Sequence, residues 1–154
     1  MQILIDADAC PKAVKEILYR AAEKAGIPLI VIANTHIRTP QVPFFKTMVV
    51  QKGFDLADDR IVEIVQPGDL VVTADIPLAD RVVKKGGYAL DPRGEFFTED
   101  TISQRLAVRD LAHELREAGI ETGGPQSFNP RDKQAFAAKL QMFLSKYHLS
   151  KRDL

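Results

Sequence analysis

The sequence predicts an α/β fold, in which an open, mainly parallel sheet of about five strands is flanked by helices and followed by two C-terminal helices. Short apolar runs alternate along the chain with stretches that repeat apolar residues at helical spacing. Glycine and proline residues separate the two kinds of stretch. Strands that alternate with helices pair in parallel through right-handed crossovers, so this pattern favours a sheet covered on both faces.

The start of the chain predicts two strands and one helix. The run ILID at residues 3–6 is apolar and ends in turn residues, and Pro11 suits the first position of a helix because its missing N–H is harmless there. Residues 12–26 repeat apolar side chains at helical spacing and stop at Gly26. The run PLIVIAN then predicts a fully buried second strand.

The middle of the chain predicts two further strands and one helix. Pro40 and Pro43 exclude regular structure from THIRTPQVPFF, and TMVVQ at residues 47–51 predicts the third strand. A helix is expected to begin near the aspartates of FDLADDRIVEIV and to end before Pro67-Gly68. The run LVVTAD predicts a fourth strand that, like the first, ends on an aspartate.

The last third of the chain predicts three helices and the fifth strand. Pro77 opens a helix over residues 78–85, and YALD at residues 88–91 predicts the strand. A helix from Thr101 to Gly119 is expected, with the capping-box spacing at Thr101 and Gln104. Asn129 and Pro130 suit the cap and first position of the final helix. The side chains expected to be buried are Ile102, Leu106, Leu111 and Leu115 in the first C-terminal helix and Phe136, Leu140, Phe143, Leu144 and Tyr147 in the second.

Length and composition predict one domain over residues 1–154. The chain has 21 basic and 21 acidic residues, so no overall positive field attracts it to nucleic acid, and its one cysteine cannot form an internal disulfide. No uncharged apolar run reaches the roughly 18 residues needed to cross a bilayer, and the start of the chain lacks the pattern of a signal peptide. We therefore expect a cytoplasmic protein that does not enter membranes.

Aspartates are expected to gather at one edge of the sheet. The first strand ends in Asp6-Ala-Asp8 and the fourth in Thr73-Ala-Asp75. Ligands of open parallel sheets bind beyond the carboxyl ends of the strands, at the point where the strand order reverses. If the two strands are neighbours at that point, Asp6 and Asp75 face each other. Asp58 and Asp80, from the helices before and after the fourth strand, then project toward the same place.

Such a cluster of carboxylates predicts a site for a divalent cation. Two carboxylates about 5 Å apart repel by roughly 3 kcal/mol at an effective dielectric constant near 20, and a cation reverses that sign. Oxygen donors without a nearby set of cysteine and histidine favour Mg²⁺ or Mn²⁺ over zinc. The reaction that suits such a site is metal-assisted attack of water on a phosphodiester. The predicted metal ligands are Asp6, Asp58, Asp75 and Asp80, and the predicted catalytic carboxylates are Asp6, Asp8 and Asp75.

The same aspartates have a purely structural explanation. Asp8 and Asp75 each precede a predicted helix, where a carboxylate caps backbone N–H groups, and Asp58 lies near the start of another helix. Two aspartates that end neighbouring strands are harder to explain by capping alone, and this convergence favours the metal site.

Three basic or titratable residues lie beyond strand ends and are predicted to bind substrate. His36 and Arg38 follow the second strand, and Arg93 follows the fifth. An arginine in such a position can bind a phosphate of the substrate through two parallel hydrogen bonds. The alternatives are a surface arginine with a locally satisfied histidine, and an ordinary turn at Arg93 with an ion pair.

The order of several blocks resembles the bacterial YaiI/YqxD family, a group of uncharacterised proteins. The blocks are ILIDADACP, GFDLADDRIV, GDLVVTADIPLA, DPRGEFFT and TGGP, and they extend over nearly the whole chain. That family is usually placed among the PIN-like domains, many of which are ribonucleases that depend on Mg²⁺ or Mn²⁺. The resemblance therefore implies a single PIN-like domain and a metal-dependent nuclease, with RNA as its expected substrate and partner.

The resemblance to PIN domains falls on the aspartates already identified. Asp6 matches the acid that ends the first PIN strand, Asp58 matches the acid that opens the helix before the fourth strand, and Thr73-Ala-Asp75 matches the T-x-D motif. By that similarity all three aspartates are metal ligands or their supports. The fourth PIN acid has no counterpart between the first two blocks, and Asp8 or Asp80 is the available substitute.

Two other functions fit the same residues. ILIDADA also resembles the DxD motif of HAD-type phosphatases, in which Asp6 would attack phosphorus, Asp8 would act as acid and base, and Thr73 and Lys84 would supply later elements. The final acidic pair of that family is missing. The third function is a PIN-like module that binds RNA or protein without turnover, which the zero net charge and the missing fourth acid permit.

Overall fold

The computed structural model describes residues 1–53, 55–123 and 127–152. Within them lie five strands, β1 (Ile3–Asp6), β2 (Leu29–Ala33), β3 (Phe45–Val49), β4 (Leu70–Val72) and β5 (Tyr88–Leu90). All pair in parallel, in the order β3-β2-β1-β4-β5. The helices are α1 (Lys12–Ala25), α2 (Leu56–Ile64), α3 (Ile76–Lys84), α4 (Glu99–Glu117) and α5 (Pro130–Arg152), and a 3₁₀ turn spans Ala7–Ala9. The predicted α/β class and five-stranded open sheet are confirmed.

Helices cover both faces of the sheet. Side chains alternate along β1, so that Ile3 and Ile5 pack on one face while Leu4 packs on the other. The first face is covered by α1 and α5, and the second by α2, α3 and α4. As the central strand, β1 is buried on both faces, and this explains why ILID is a continuous apolar run apart from its final aspartate.

Several element boundaries differ by a few residues from the sequence prediction, and the starts of β3 and α4 show the physical reasons. β3 begins at Phe45 rather than at residue 47, because Phe45 is buried and pairs with Leu29 of β2. α4 begins at Glu99 rather than at Thr101, because the capping box forms between Thr98 and Thr101 instead of at Thr101 and Gln104.

The predicted burial of the C-terminal helices is confirmed only in part. Ile102 of α4 is buried, but Leu111 is 56% exposed. The predicted cap of α5 forms, since Asn129 Oδ1 accepts a hydrogen bond from the Asp132 N–H at 3.0 Å. Phe136, Leu140 and Leu144 are buried, and Phe143 and Tyr147 are partly buried against them. Gly124 and Pro125 of the TGGP block lie outside the described residues.

The long helices stay too polar for a membrane. Among the residues described, no helix combines the length and the apolar character needed to cross a bilayer.

The capping box of α4 supports a first prediction, on stability. The Thr98 hydroxyl accepts a hydrogen bond from the Thr101 N–H at 3.2 Å, and the Thr101 hydroxyl accepts one from the Thr98 N–H at 2.7 Å. Thr98→Ala is expected to lower the free energy of unfolding by about 1 kcal/mol, measured by urea denaturation. Ser103→Ala, an exposed change within the same helix, is the control and is expected to have little effect. Equal stability of the two variants would contradict a contribution from the cap.

Candidate functional site

The strand order reverses between β1 and β4, which are hydrogen-bonded neighbours. Their register pairs Ile5 with Val72, so the next position along each strand brings Asp6 level with Thr73. β1 and β4 are therefore neighbours, as the sequence prediction assumed. Asp6 is 5% exposed and Thr73 is fully buried, so the two polar side chains meet inside the edge of the sheet.

Hydrogen bonds connect Asp6 to Asp75 through Thr73. The Thr73 hydroxyl donates to Asp6 Oδ2 at 2.8 Å and accepts from the Asp75 N–H at 3.0 Å. Asp75 Oδ1 in turn accepts from the Leu78 N–H at 2.9 Å and caps α3. Asp75 therefore caps α3, as its structural explanation predicted. The same residue is also connected through Thr73 to Asp6 at the end of β1.

Asp58 completes what we call the acidic cluster, namely Asp6, Asp58 and Asp75. It lies in the first turn of α2, close enough to Asp75 for the two carboxyl groups to interact. Burial, followed by repulsion from Asp75, Asp6 and Asp55, raises the pKa of Asp58 to about 7. Three predicted ligands from different elements therefore share one region of negative potential.

Burial also raises the pKa of Asp6. The hydrogen bond from Thr73 opposes this shift, and the negative charges of Asp75 and Asp8 add to it. Asp75 therefore makes the ionised forms of both Asp6 and Asp58 less stable, as expected where like charges are crowded together.

The donor chemistry of the acidic cluster fits a hard divalent cation. Among the described side chains, no three from His, Cys, Asp and Glu converge closely enough to hold a metal by themselves. Mg²⁺, however, is commonly held by one or two carboxylates, with waters and substrate phosphate completing its shell. Asp58 and Asp75 would be those carboxylates, and Asp6 would lie behind them, connected through Thr73.

Asp8 and Asp80 are held by other partners. Asp8 is exposed, and its Oδ2 accepts a hydrogen bond from the Asn34 N–H at 2.8 Å, which connects the turn after β1 to the end of β2. The Asp80 carboxylate forms a 2.8 Å ion pair with Lys84, one turn further along α3. Asp8 adds to the negative potential at Asp6, whereas the charge of Asp80 is balanced by Lys84.

The three predicted substrate-binding residues lie in two different places. His36 and Arg38 are exposed on the segment that follows β2, and Arg38 lines a cleft beside α1. Arg93 instead faces α5, where its guanidinium lies 3.5 Å from the Asp132 carboxylate.

Asp91 is a buried strand-end carboxylate that the sequence prediction did not include. It follows β5, as Asp6 ends β1, and its position in YALD was the available signal. Its oxygens accept from the Arg93 N–H at 2.6 Å and from the Arg105 guanidinium at 3.2 Å. Because a cation already balances it, Asp91 supports the fold at this edge rather than adding to the acidic cluster.

Comparison with known proteins gives one family over nearly the whole chain. A family model described as "Uncharacterized BCR, YaiI/YqxD family" matches residues 4–146. A UPF0178 protein of Burkholderia cenocepacia is 52% identical over 147 residues, which cover 96% of this chain and 98% of that protein. A UPF0178 protein of Photobacterium profundum is 53% identical over 146 residues, which cover 95% of this chain and 97% of that protein.

Proposed function

The chain belongs to the YaiI/YqxD family, and from the geometry at its strand ends we propose that it is a Mg²⁺- or Mn²⁺-dependent phosphodiesterase that acts on RNA. The observation that carries this proposal is the convergence of Asp75 and buried Asp6, which Thr73 connects by hydrogen bonds where the strand order reverses, with Asp58 interacting with both. These are also the positions at which the resemblance to PIN-like domains implies metal ligands.

Each residue of the acidic cluster has a distinct task in this proposal. Asp58 and Asp75 hold the cation, and the α3 cap fixes the direction of Asp75. Thr73 keeps Asp6 in place by its hydrogen bond, so Asp6 adds negative charge without moving toward the substrate. A bound ion supplies activation of water and neutralisation of the charged phosphate. Without a cation, the same carboxylates would repel that phosphate.

Asp75→Asn is the variant that tests the proposal most directly. Asparagine caps helices as well as aspartate does, so the change removes the charge and keeps the cap of α3. Cleavage of a labelled single-stranded RNA in millimolar Mg²⁺ or Mn²⁺ is expected to fall by about 100-fold or more, because even the loss of a residue that only supports a metal ligand costs about 10- to 100-fold. Asp59→Asn is the matched control, because Asp59 neighbours Asp58 but pairs with Arg81 at the surface.

A second readout of the same variants does not depend on turnover. Mn²⁺ at ten times its dissociation constant is expected to stabilise the wild type and Asp59→Asn by about 1.4 kcal/mol. That corresponds to a rise of roughly 3 to 6 °C in Tm for a chain of this size. Asp75→Asn is expected to show no such rise. Metal-independent Tm values and no RNA cleavage in the wild type would overturn the proposal.

The HAD-type alternative has less structural support. Its nucleophile would be Asp6, which is only 5% exposed and already hydrogen-bonded by Thr73. Its lysine would be Lys84, which is engaged with Asp80 at the surface. Beryllofluoride trapping distinguishes the two enzymes, because only a HAD-type reaction would leave an aspartyl adduct at Asp6. RNA binding without metal-dependent turnover would instead favour the binding module.

A further inference from the structure

A cleft of about 470 Å³ lies between α1 and the segment that follows β2. We call it the α1 cleft and define it by Lys12, Lys15, Tyr19, Ile37, Arg38 and Thr39. Three of these side chains are basic, and Glu16 adds an acidic one to the lining. The three basic side chains come from two separate elements, so the folded chain concentrates positive charge that is not apparent as a run in the sequence.

The basic side chains of the α1 cleft have no acidic partner. Within the described part of the chain, none of Lys12, Lys15 and Arg38 forms an ion pair. The two lysines also occupy the first turn of α1, which contains no acidic residue and whose capping residue, Pro11, offers no side-chain hydrogen bond. Cations at the start of a helix interact unfavourably with the helix dipole. A bound anion would balance the unpaired positive charges and reduce this unfavourable interaction.

Tyr19 adds a polar group without a partner to the same cleft. Its hydroxyl oxygen is buried and forms no hydrogen bond within the residues described. Burial raises the pKa of Tyr19, so the phenol keeps its proton and remains a donor. A buried hydroxyl without a partner costs about 1–3 kcal/mol, so an acceptor brought next to it on ligand binding would stabilise the protein.

The α1 cleft lies at the same edge of the sheet as the acidic cluster. Its two walls follow the carboxyl ends of β1 and β2, and the hydrogen bond between Asp8 and the Asn34 N–H joins the segments that lead into them. The acidic cluster lies at the ends of β1 and β4. A nucleic-acid strand bound along this edge would therefore contact the negative acidic cluster and the positive α1 cleft in succession.

We propose that the α1 cleft binds a phosphate group of the nucleic-acid substrate at a distance along the strand from the phosphodiester held at the acidic cluster. The inference rests on the proposed function, because the phosphate belongs to the same substrate. Its binding would strengthen the complex and fix the position of the nucleic-acid strand relative to the acidic cluster. Three cations that line one cleft match the acceptor oxygens of a phosphate. The phosphate belongs either to the 5′ end of the strand or to an internal linkage, and both share this chemistry.

Binding of single-stranded RNA in EDTA tests the inference without any metal. The probes are two oligoribonucleotides of the same sequence, labelled at the 3′ end, one with a 5′-phosphate and one with a 5′-hydroxyl, measured by fluorescence anisotropy against salt concentration. Lys15→Gln and Arg38→Gln are each expected to weaken binding about 5- to 20-fold and to reduce the salt slope by about 0.7, the loss of one phosphate contact. Lys24→Gln, at the far end of α1, is the control with wild-type affinity.

Each outcome of the titration is informative. A preference for the 5′-phosphate that both variants lose supports a terminal phosphate, and equal weakening for both oligonucleotides supports an internal linkage. Wild-type affinity and salt slope in both variants, or no RNA binding by the wild type, would overturn the inference. Arg38 lies on an irregular segment with an exposed side chain, so Arg38→Gln remains a valid test if Lys15→Gln perturbs α1. Because the assay contains no metal, loss of cleavage alone does not affect the result.

Discussion

Replacement of Phe136 by alanine is expected to lower the free energy of unfolding by about 3–5 kcal/mol, a large part of the 5–15 kcal/mol typical of a domain. Phe136 is fully buried and places α5 in the same core as Leu140, Leu144 and α1. The expected loss combines the transfer of an aromatic ring to water with the cavity that remains in a close-packed interior.

Urea denaturation of Phe136→Ala beside Met142→Ala provides the measurement. Met142 lies on the same helix and is exposed, so its truncation is expected to change stability by less than about 0.5 kcal/mol. Similar stabilities for the two variants would mean that α5 does not pack against the sheet as described.

Gly94→Ala is expected to destabilise the protein by about 3–5 kcal/mol through two effects at one position. Gly94 has a φ of +91°, which non-glycine side chains rarely adopt. A Cβ there would lie 2.7 Å from the Ala135 carbonyl carbon and 2.8 Å from the Phe136 nitrogen, both in the backbone of α5. Since a helix backbone cannot yield locally, the turn after β5 or the whole of α5 has to shift.

Gly68→Ala separates the two effects. Gly68 has a φ of +89°, nearly that of Gly94, but a Cβ there would have no atom within 4 Å. Its replacement is expected to cost about 1 kcal/mol, the conformational part alone. The difference between the two variants therefore measures the close approach of α5 to the turn, and equal losses would contradict that approach.

Local patterns were sufficient to predict the fold class and the order of the elements, but not every boundary. Phe45 joins β3 because of its pairing with β2, a contact between segments that the irregular residues 34–44 separate. In α4, Ile102 and Leu111 are nine residues apart, which places them on opposite sides of a helix with 3.6 residues per turn. Ile102 faces the core and Leu111 faces outward, and periodicity alone could not choose between the two sides.

The acidic cluster was partly predictable for the same topological reason. Asp6 ends β1 and Asp75 lies shortly after β4, so their proximity depended on the single assumption that these two strands are neighbours, which the structure confirms. The direction of Asp80 depends on its place around α3, where Lys84 at one turn's distance holds it. The α1 cleft was not predicted, because Lys12 and Arg38 come together only through the packing of α1 against the segment after β2.

Asp75 both caps α3 and belongs to the acidic cluster, so the first turn of α3 and the arrangement of the acidic cluster stabilise each other. The carboxylate that contacts Asp58 also accepts the Leu78 N–H that closes the first turn of that helix. When this turn unfolds locally, the interaction between the Asp58 and Asp75 carboxyl groups is lost with it. A ligand that binds both carboxyl groups would therefore stabilise the folded turn. Amide exchange at Leu78 is therefore expected to slow when Mn²⁺ is added, if a cation binds at the acidic cluster as proposed.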